Sequence, residues 1–315
     1  MYEENIAALQ RIIETDGVIR NIAYHRLPDG TLDIDGNKKI WNHALASFTV
    51  TPLWEKGAPG FDDRDPLQTE PSIIFVPAPD SAAKPPKGTI IVAHGGGFEI
   101  RTGCEGMNVA WYFHQAGFNT AILTYRIKPY TRFDAITDMQ RAIRLLRARK
   151  EELHISESVA VMGFSAGGML SGNCATHYDL GNSEAEDPIE RFSCRPDACV
   201  VGYGAFSMTA FPGPLFAPKP SKEQLEENVY LSIERNLTPD TPPFFIWQTN
   251  EDDPRIGMTL AWELQCTGVP FELHCFPKGA HGLALADGHN DLATTIPHLM
   301  HWAELCAEWL RDQGV

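Results

Sequence analysis

The sequence predicts an α/β protein, built on one mostly parallel sheet with helices on both of its faces. Short apolar runs typical of buried strands recur along the chain, and segments with helical spacing of apolar residues lie between them. Strands that alternate with helices in this way indicate parallel βαβ connections. The predicted strands are residues 72–79, 86–98, 118–126, 159–163, 198–204, 242–250 and 270–277.

The helices follow from the spacing of apolar side chains. The strongest pattern covers residues 134–153, where Ile136, Met139, Ile143 and Leu146 recur at helical intervals. Gly117 ends the helical pattern of the residues before it, as expected at a helix end. Further helices are predicted at residues 4–15, 107–116, 221–237, 255–267 and 295–311, and between the strand 159–163 and about residue 177.

The remaining segments define the expected domain organisation. Residues 50–315 form a single predicted domain, and residues 1–49 are an N-terminal extension with no assignment. Residues 26–71, rich in Asp, Gly and Pro, are expected to be irregular. Residues 205–241 interrupt the alternation, and we expect them to form a small cap over the carboxyl ends of the strands. The alternative is a plain long crossover, although long loops in compact domains are usually functional or disordered.

Charge limits the range of partners. The chain has 315 residues, of which 43% are hydrophobic, and its formal net charge is −15. Nucleic acids and anionic membranes attract basic surfaces, so neither is an expected partner. We expect a small molecule to be the partner, while the oligomeric state is left open by the sequence.

Cysteine usage and the N-terminal residues predict a cytoplasmic protein. The seven cysteines are scattered, and Cys194 and Cys199 have no matching second pair that would suggest a zinc site. Such spacing fits reduced thiols. The N-terminus lacks the apolar region of a signal peptide, and no apolar run approaches the ~20 residues that span a bilayer. No metal or organic cofactor is expected.

A serine stands where a buried strand gives way to a helix. The stretch Gly163-Phe164-Ser165-Ala166-Gly167 matches G-x-S-x-G, the nucleophile elbow, in which a sharp turn exposes the serine. Glycines leave room for such a turn, and the amides at the start of the following helix favour developing negative charge. The alternative is a small-residue turn that lets a helix pack closely on a sheet.

A glycine-rich loop follows an earlier strand. The sequence "AHGGGF" at residues 93–98 resembles the HGGG-type loop whose backbone amides form an oxyanion hole in esterases and lipases. We expect the amides of Gly96 and Gly97, together with that of Ala166, to be the donors. His94 is expected to form a hydrogen bond within the loop rather than to take part in chemistry.

A general base is expected in a loop late in the chain. His281 follows the last predicted strand and lies between two glycines, whereas His274 lies within a strand. His298 and His301 lie on the last helix, where packing or surface roles are expected. His289 has carboxylates nearby, but solvated loops of this composition are more common than metal sites.

The acid that would orient this histidine should lie between the serine and the histidine. Glu251, Asp252 and Asp253 are consecutive after a predicted strand, and the residue pattern leaves all three open. The resulting chain order of serine, acid and histidine is that of the α/β-hydrolase fold.

Longer stretches now carry a family resemblance. The chain resembles bacterial acetylxylan-esterase-like and feruloyl-esterase-like α/β hydrolases, within the branch that includes hormone-sensitive-lipase-like esterases. The resemblance covers about residues 50–312. It rests on "HGGGF", "GFSAGG", "TPLWEKGAPG", "TGCEGMNVAWYFHQAGFNTAILTYRIKPY", "DMQRAIRLLR", "TPPFFIWQTNEDD" and "GVPFELHCFPKGAHGLAL".

The resemblance implies site residues and an activity. It places the nucleophile at Ser165, the histidine at His281 and the acid at Asp252. Relatives commonly have Val-Pro shortly after the acid, where this chain has "DPRIG". The implied reaction is hydrolysis of acyl esters, often acetyl groups on sugars or oligosaccharides.

We therefore expect a serine carboxylic-ester hydrolase that removes short acyl groups. The alternatives are a general carboxylesterase for lipophilic esters, a peptidase of the prolyl-oligopeptidase kind, and a non-catalytic binding protein on a hydrolase scaffold. Trp41, Arg101 and Glu105 are additional candidates for substrate contact, outside the predicted site.

Overall fold

An eight-stranded sheet forms the centre of the computed structural model, which describes residues 2–15, 26–79, 86–205, 207–209 and 221–315. Its strand order is β1-β2-β4-β3-β5-β6-β7-β8. The strands are β1 (Thr51–Pro52), β2 (Ser72–Val76), β3 (Thr89–Ala93), β4 (Asn119–Thr124), β5 (Val159–Phe164), β6 (Ala198–Gly202), β7 (Phe244–Thr249) and β8 (Phe271–Phe276).

The helices cover both faces of this sheet. A π-helical turn at Cys104–Asn108 leads into the third α-helix, and short 3₁₀-helices occupy Pro188–Arg191 and Ile233–Arg235. The α-helices are α1 (Glu3–Thr15), α2 (Ile34–Leu45), α3 (Val109–Gln115), α4 (Arg132–Ala148), α5 (Lys150–Leu153), α6 (Ala166–Thr176), α7 (Lys222–Leu231), α8 (Pro254–Thr267) and α9 (Pro297–Asp312).

The sheet is parallel from β4 to β8, whereas β1 and β2 run antiparallel at one edge. The central strands are apolar throughout because both of their faces are buried. Along β3, for example, Ile90 and Val92 contribute to the core on one side and Ile91 to the core on the other. The predicted α/β class with a mostly parallel sheet is confirmed.

The expectation of irregular chain at residues 26–71 is wrong for its first part. Asp33 caps helix α2 by accepting a hydrogen bond from the Gly36 amide, and the helix extends to Leu45. Trp41 and Leu45 are buried in the same core as Leu9 and Ile12 of helix α1. Burial of this face stabilises a helix whose Asp and Gly content favours a loop.

Helix α1 is also fixed to the sheet. The Asn5 side chain donates to the carbonyl oxygens of Thr49 and Phe75, at 3.0 and 2.9 Å, and accepts from the Thr49 amide. Leu9 on the same helix is fully buried. The described residues of the N-terminal extension, 2–15 and 26–49, thus supply two helices to the core.

The described part of the segment expected to form a cap, at Leu231 and Ile233, packs on helix α6, which follows the serine. Asn173 donates to the Leu231 carbonyl oxygen at 3.1 Å, and Ile233 packs so closely on Gly172 that a Cβ there would lie 2.3 Å from it. Phe206 and Phe211, which the sequence suggests as bulky side chains close to the site, lie outside the described residues. The described part of the segment contains α7, as the sequence predicts for this stretch.

All seven cysteines are free thiols. Five of them are buried, and Cys266 and Cys275 are exposed. Along the described stretches, none of the helices combines the length and the apolar character that crossing a bilayer would require.

Candidate active site

Ser165 lies in the sharp turn between β5 and α6. Its backbone has φ 52° and ψ −121°, a combination that L-residues rarely adopt. A Cβ on Gly163 would lie 2.0 Å from the Gly167 carbonyl oxygen, and a Cβ on Gly167 would lie 2.2 Å from that of Ala93. Both glycines of the motif are therefore required by close backbone packing, and the serine side chain is held at the carboxyl end of the central strand.

The structure brings Ser165, His281 and Asp252 together in one hydrogen-bonded chain. The distance between Ser165 Oγ and His281 Nε2 is 2.8 Å, and that between His281 Nδ1 and Asp252 Oδ2 is 2.9 Å. The three residues follow β5, β8 and β7, so the carboxyl ends of three parallel strands contribute one side chain each. With Nδ1 donating to the carboxylate, Nε2 is left as the acceptor for the serine hydroxyl proton.

The two neighbouring carboxylates face elsewhere. Asp253 accepts from the Arg255 amide as the cap of helix α8 and forms an ion pair with the Arg255 guanidinium at 2.7 Å. Glu251 accepts from the Gly279 amide at 2.8 Å. Of the three candidates that the sequence leaves open, Asp252 is the one that contacts His281.

Burial and charge act in opposite directions on His281. Burial lowers the pKa of its imidazole, but the hydrogen bond and the charge of Asp252, with a smaller effect of the Glu105 charge, outweigh burial. The net result is a pKa above the ordinary value of 6.5. The arrangement stabilises the imidazolium form, which is the form that a general base reaches after it accepts a proton.

The glycine-rich loop lies directly beside the serine turn. Strands β3 and β5 pair in register with Ala93 opposite Gly163, so the loop and the turn leave the sheet side by side. Gly96 has φ 107°, and a Cβ there would lie 2.1 Å from the Ile100 carbonyl oxygen. Gly97 also has a positive φ, of 64°. The amides of Gly96, Gly97 and Ala166 donate to no acceptor among the described residues, which leaves them available to a ligand.

His94 lies within the loop, away from this chain of hydrogen bonds. Its Nδ1 is 2.7 Å from the Gly95 carbonyl oxygen, and its ring stacks on Tyr125 with 4.3 Å between centroids. Burial and the nearby Arg101 charge lower its pKa to about 3. The imidazole is therefore neutral and has a structural role in the loop.

The residues suggested as additional substrate contacts are buried instead. Trp41 and Arg101 are fully buried, and Glu105 is 2% exposed. Arg101 binds the Gln68 side chain and the Tyr125 carbonyl oxygen. None of these side chains is accessible to a substrate from solvent.

Two site neighbours have no signal in the sequence. Gln248 donates to Asp252 Oδ2 at 3.3 Å and to the Asp253 carbonyl oxygen at 2.7 Å, so it helps to orient the carboxylate. Tyr203 packs the edge of its ring against His281, with 4.9 Å between centroids. Both residues lie within predicted strands, and only their long-range contacts reveal their roles.

Comparisons with known proteins agree with this architecture. The BD-FAE family matches residues 74–261, more than half of the chain. The acetyl ester-xyloside bifunctional hydrolase of Caldicellulosiruptor lactoaceticus is 33% identical with a TM-score of 0.75, over 84% of this chain and 96% of that one. The α/β hydrolase MGS-M1, from a Medee basin deep-sea metagenome library, is 22% identical with a TM-score of 0.60, over 84% of this chain and 96% of that one.

A curated relative is similar over a shorter region. Endo-1,4-beta-xylanase B of Butyrivibrio fibrisolvens is 30% identical over 214 residues, which are 63% of this chain. The match amounts to 33% of the xylanase, so this chain spans about a third of the length of that protein. The similarity to solved hydrolases confirms the predicted α/β-hydrolase fold, and the extent of the family match shows that the chain belongs to the BD-FAE family.

Proposed function

We propose that this protein is a serine carboxylic-ester hydrolase that removes short acyl groups. The observation that carries the proposal is the hydrogen-bonded chain from Ser165 Oγ through His281 to Asp252. It lies beside a loop whose amides are available to a ligand, so a nucleophile, a base, an orienting acid and oxyanion donors share one place.

In the proposed reaction, Ser165 Oγ attacks the ester carbonyl carbon while its proton passes to His281 Nε2. The amides of Gly96, Gly97 and Ala166 stabilise the negative charge on the former carbonyl oxygen. His281 then donates the proton to the departing alcohol, which leaves an acyl-serine. A water molecule then attacks the acyl carbon while His281 accepts its proton, and the bond to Ser165 Oγ breaks as His281 passes that proton to the serine oxygen, which releases the acid and restores the serine.

The proposed substrates are acetyl esters of sugars or oligosaccharides. Membership of the BD-FAE family and the likeness to an acetyl ester-xyloside hydrolase support this choice. A panel of substrates distinguishes this proposal from the carboxylesterase and peptidase alternatives. A cytoplasmic location is part of the proposal and is supported by the seven free thiols.

Replacement of Ser165 by alanine tests the mechanism. Loss of a triad serine can cost on the order of 10⁶ in kcat, so we expect Ser165→Ala to lose turnover of p-nitrophenyl acetate while circular dichroism stays unchanged. A fluorophosphonate probe should label the parent protein and not the variant.

The same pair of proteins separates the alternatives. Acetylated xylo-oligosaccharides should be deacetylated, whereas prolyl amides should not be cleaved. A parent protein that neither turns over esters nor reacts with the probe would support the binding-protein alternative. Turnover by Ser165→Ala near the parent rate would exclude Ser165 as the nucleophile.

A further inference from the structure

Glu105 is a buried carboxylate on the π-helical turn next to the glycine-rich loop. Side chains of this type are rarely buried unless they are paired, and π-helical turns occur frequently at functional sites. Its partners are three neutral donors: the Gly95 amide at 2.9 Å, the Thr102 hydroxyl, and the Tyr203 hydroxyl at 2.7 Å. The carboxylate therefore joins chain segments that are distant in sequence.

One side of this carboxylate fixes the glycine-rich loop. Oε2 accepts from the Gly95 amide and from Thr102, which itself lies 3.1 Å from the same amide. The contact is so close that a Cβ on Gly95 would lie 2.2 Å from Oε2. Gly95 directly precedes Gly96 and Gly97, so the carboxylate fixes the position of the backbone that leads into the proposed oxyanion donors.

The other side reaches the histidine loop. Oε1 accepts from the Tyr203 hydroxyl, and this hydroxyl accepts from the Ala284 amide at 3.0 Å. Ala284 is three residues after His281, and the Tyr203 ring packs against the imidazole. The same tyrosine therefore contacts the loop that carries the base at two points.

We propose that Glu105 is a positioning residue that sets the distance between the oxyanion donors and His281, by holding Gly95 with one oxygen and Tyr203 with the other. The inference rests on the proposed function and extends it to a residue that does not touch the substrate. Displacement of catalytic groups by about 1 Å can reduce turnover by about 10²-fold, so a link of this kind matters for rate.

The Glu105 charge also acts on the base. His281 faces the carboxylates of Asp252 and Glu105, the hydroxyl of Ser165 and the ring of Tyr203. Both carboxylates raise the pKa of the imidazole. A neutral isostere at position 105 removes one of these charges and should lower the pKa of His281.

Three variants test the inference in the full-length protein. Glu105→Gln removes the charge and disturbs both links. Tyr203→Phe removes only the hydroxyl between Glu105 and Ala284 and keeps the ring beside His281. Asp291→Asn is the matched control, because the charges of this half-buried carboxylate and Glu105 interact, yet Asp291 accepts from the Cys104 thiol and shares no hydrogen bond with Gly95 or Tyr203.

We expect Glu105→Gln to lower kcat on p-nitrophenyl acetate by roughly 10- to 100-fold with KM changed less than about threefold. The midpoint of the acid limb of its kcat/KM profile should shift to lower pH. The pKa of His281, measured by NMR titration, should fall as well. Tyr203→Phe should lower kcat without moving that pKa. Asp291→Asn should change kcat by less than about twofold.

Several results would overturn the inference. One is a parent-like kcat and His281 pKa in Glu105→Gln, even if its melting temperature falls, since the role would then be structural. Another is an equal loss in Asp291→Asn. If Glu105→Gln does not fold, a parent-like kcat in Tyr203→Phe has the same consequence.

The NMR titration needs no turnover, so it separates this inference from the proposed function. If the parent protein hydrolyses no ester and does not react with the fluorophosphonate, the proposed function fails and the positioning role fails with it. If the parent protein is active and the two variants match it, only the role of Glu105 fails.

Discussion

Three adjacent carboxylates near the site have three different partners. Glu251 binds a backbone amide, Asp252 contacts His281, and Asp253 caps a helix. Adjacent side chains on an extended segment point to opposite sides, so at most one of the two aspartates can face the imidazole.

Conservative substitutions should separate these carboxylates. Asp252→Asn should lower kcat by roughly 10⁴, because the imidazole loses the partner that holds its tautomer and stabilises its cation. Asp253→Asn, which retains an N-cap side chain, and Glu251→Gln should each cost less than about tenfold. Steady-state kinetics on p-nitrophenyl acetate measure all three. If Asp253→Asn is inactive and Asp252→Asn is active, the acid is Asp253 rather than Asp252.

The raised pKa of His281 predicts the pH dependence. In the proposed mechanism only the neutral imidazole accepts the serine proton, so kcat/KM should rise with pH through one ionisation, and the upward shift places its midpoint above 6.5. Initial rates between pH 5 and 9 measure the midpoint. A flat profile, or a midpoint below 6.5, would contradict a base held by Asp252.

Local sequence patterns predict several of the individual site residues. The motif around Ser165 and the glycine-flanked His281 were recognisable because their backbone requirements appear as glycines close in sequence. Glu105, Tyr203 and Gln248 give no such signal, since each acts through partners on other strands or loops.

At the scale of elements, apolar periodicity predicts most of the strands and helices, and it fails at α2. This helix buries Trp41 on a segment that contains Asp and Gly, so tertiary contacts outweigh local preference. The Trp41 indole donates to Thr124 on β4 at 3.2 Å and packs edge-on against His94. The helix therefore supports the strand and the loop beneath the site.

Trp41→Ala should test the contribution of α2. Removal of a buried Trp side chain costs about 3–5 kcal/mol through lost burial and the cavity left behind, so the free energy of unfolding in urea should fall by that amount. Trp262→Ala is the control, because Trp262 is 69% exposed and its loss should change stability by less than about 0.5 kcal/mol. Equal effects would show that α2 contributes little.

At the scale of the whole molecule, parallel strands gather their carboxyl ends at one edge, and loops from β3, β5, β7 and β8 meet there. The alternation of strands and helices in the sequence predicts a parallel sheet, whose loops meet in this way. It does not predict the antiparallel edge formed by β1 and β2, because pairing direction depends on partners far along the chain.

The surroundings of the glycine-rich loop predict a preference for short acyl groups. Phe98 follows Gly97, Arg132 lies over its ring at 5.4 Å, and the Met208 sulfur lies 3.7 Å from the Arg132 guanidinium. Burial of each further methylene in an open site would strengthen binding of the acyl chain by up to about 0.8 kcal/mol. A site closed by these side chains offers a longer chain no such burial.

Rates should therefore fall from p-nitrophenyl acetate to octanoate. Phe98→Ala should raise the octanoate rate relative to acetate, and Leu180→Ala, a change at a side chain that is 74% exposed, should leave the ratio unaltered. Rates that climb steadily from acetate to octanoate in the parent protein would instead indicate a lipid-type carboxylesterase.

The distribution of thiols gives the fold a chemical signature. Burial raises the pKa of Cys104, Cys174, Cys199 and Cys306 well above the ordinary value, so these sulfurs stay protonated and shielded from reagents. Cys266 and Cys275 remain open to solvent on α8 and β8. A maleimide dye would attach at two defined places in the folded protein, and the appearance of further reactive sulfurs would count the molecules that have opened.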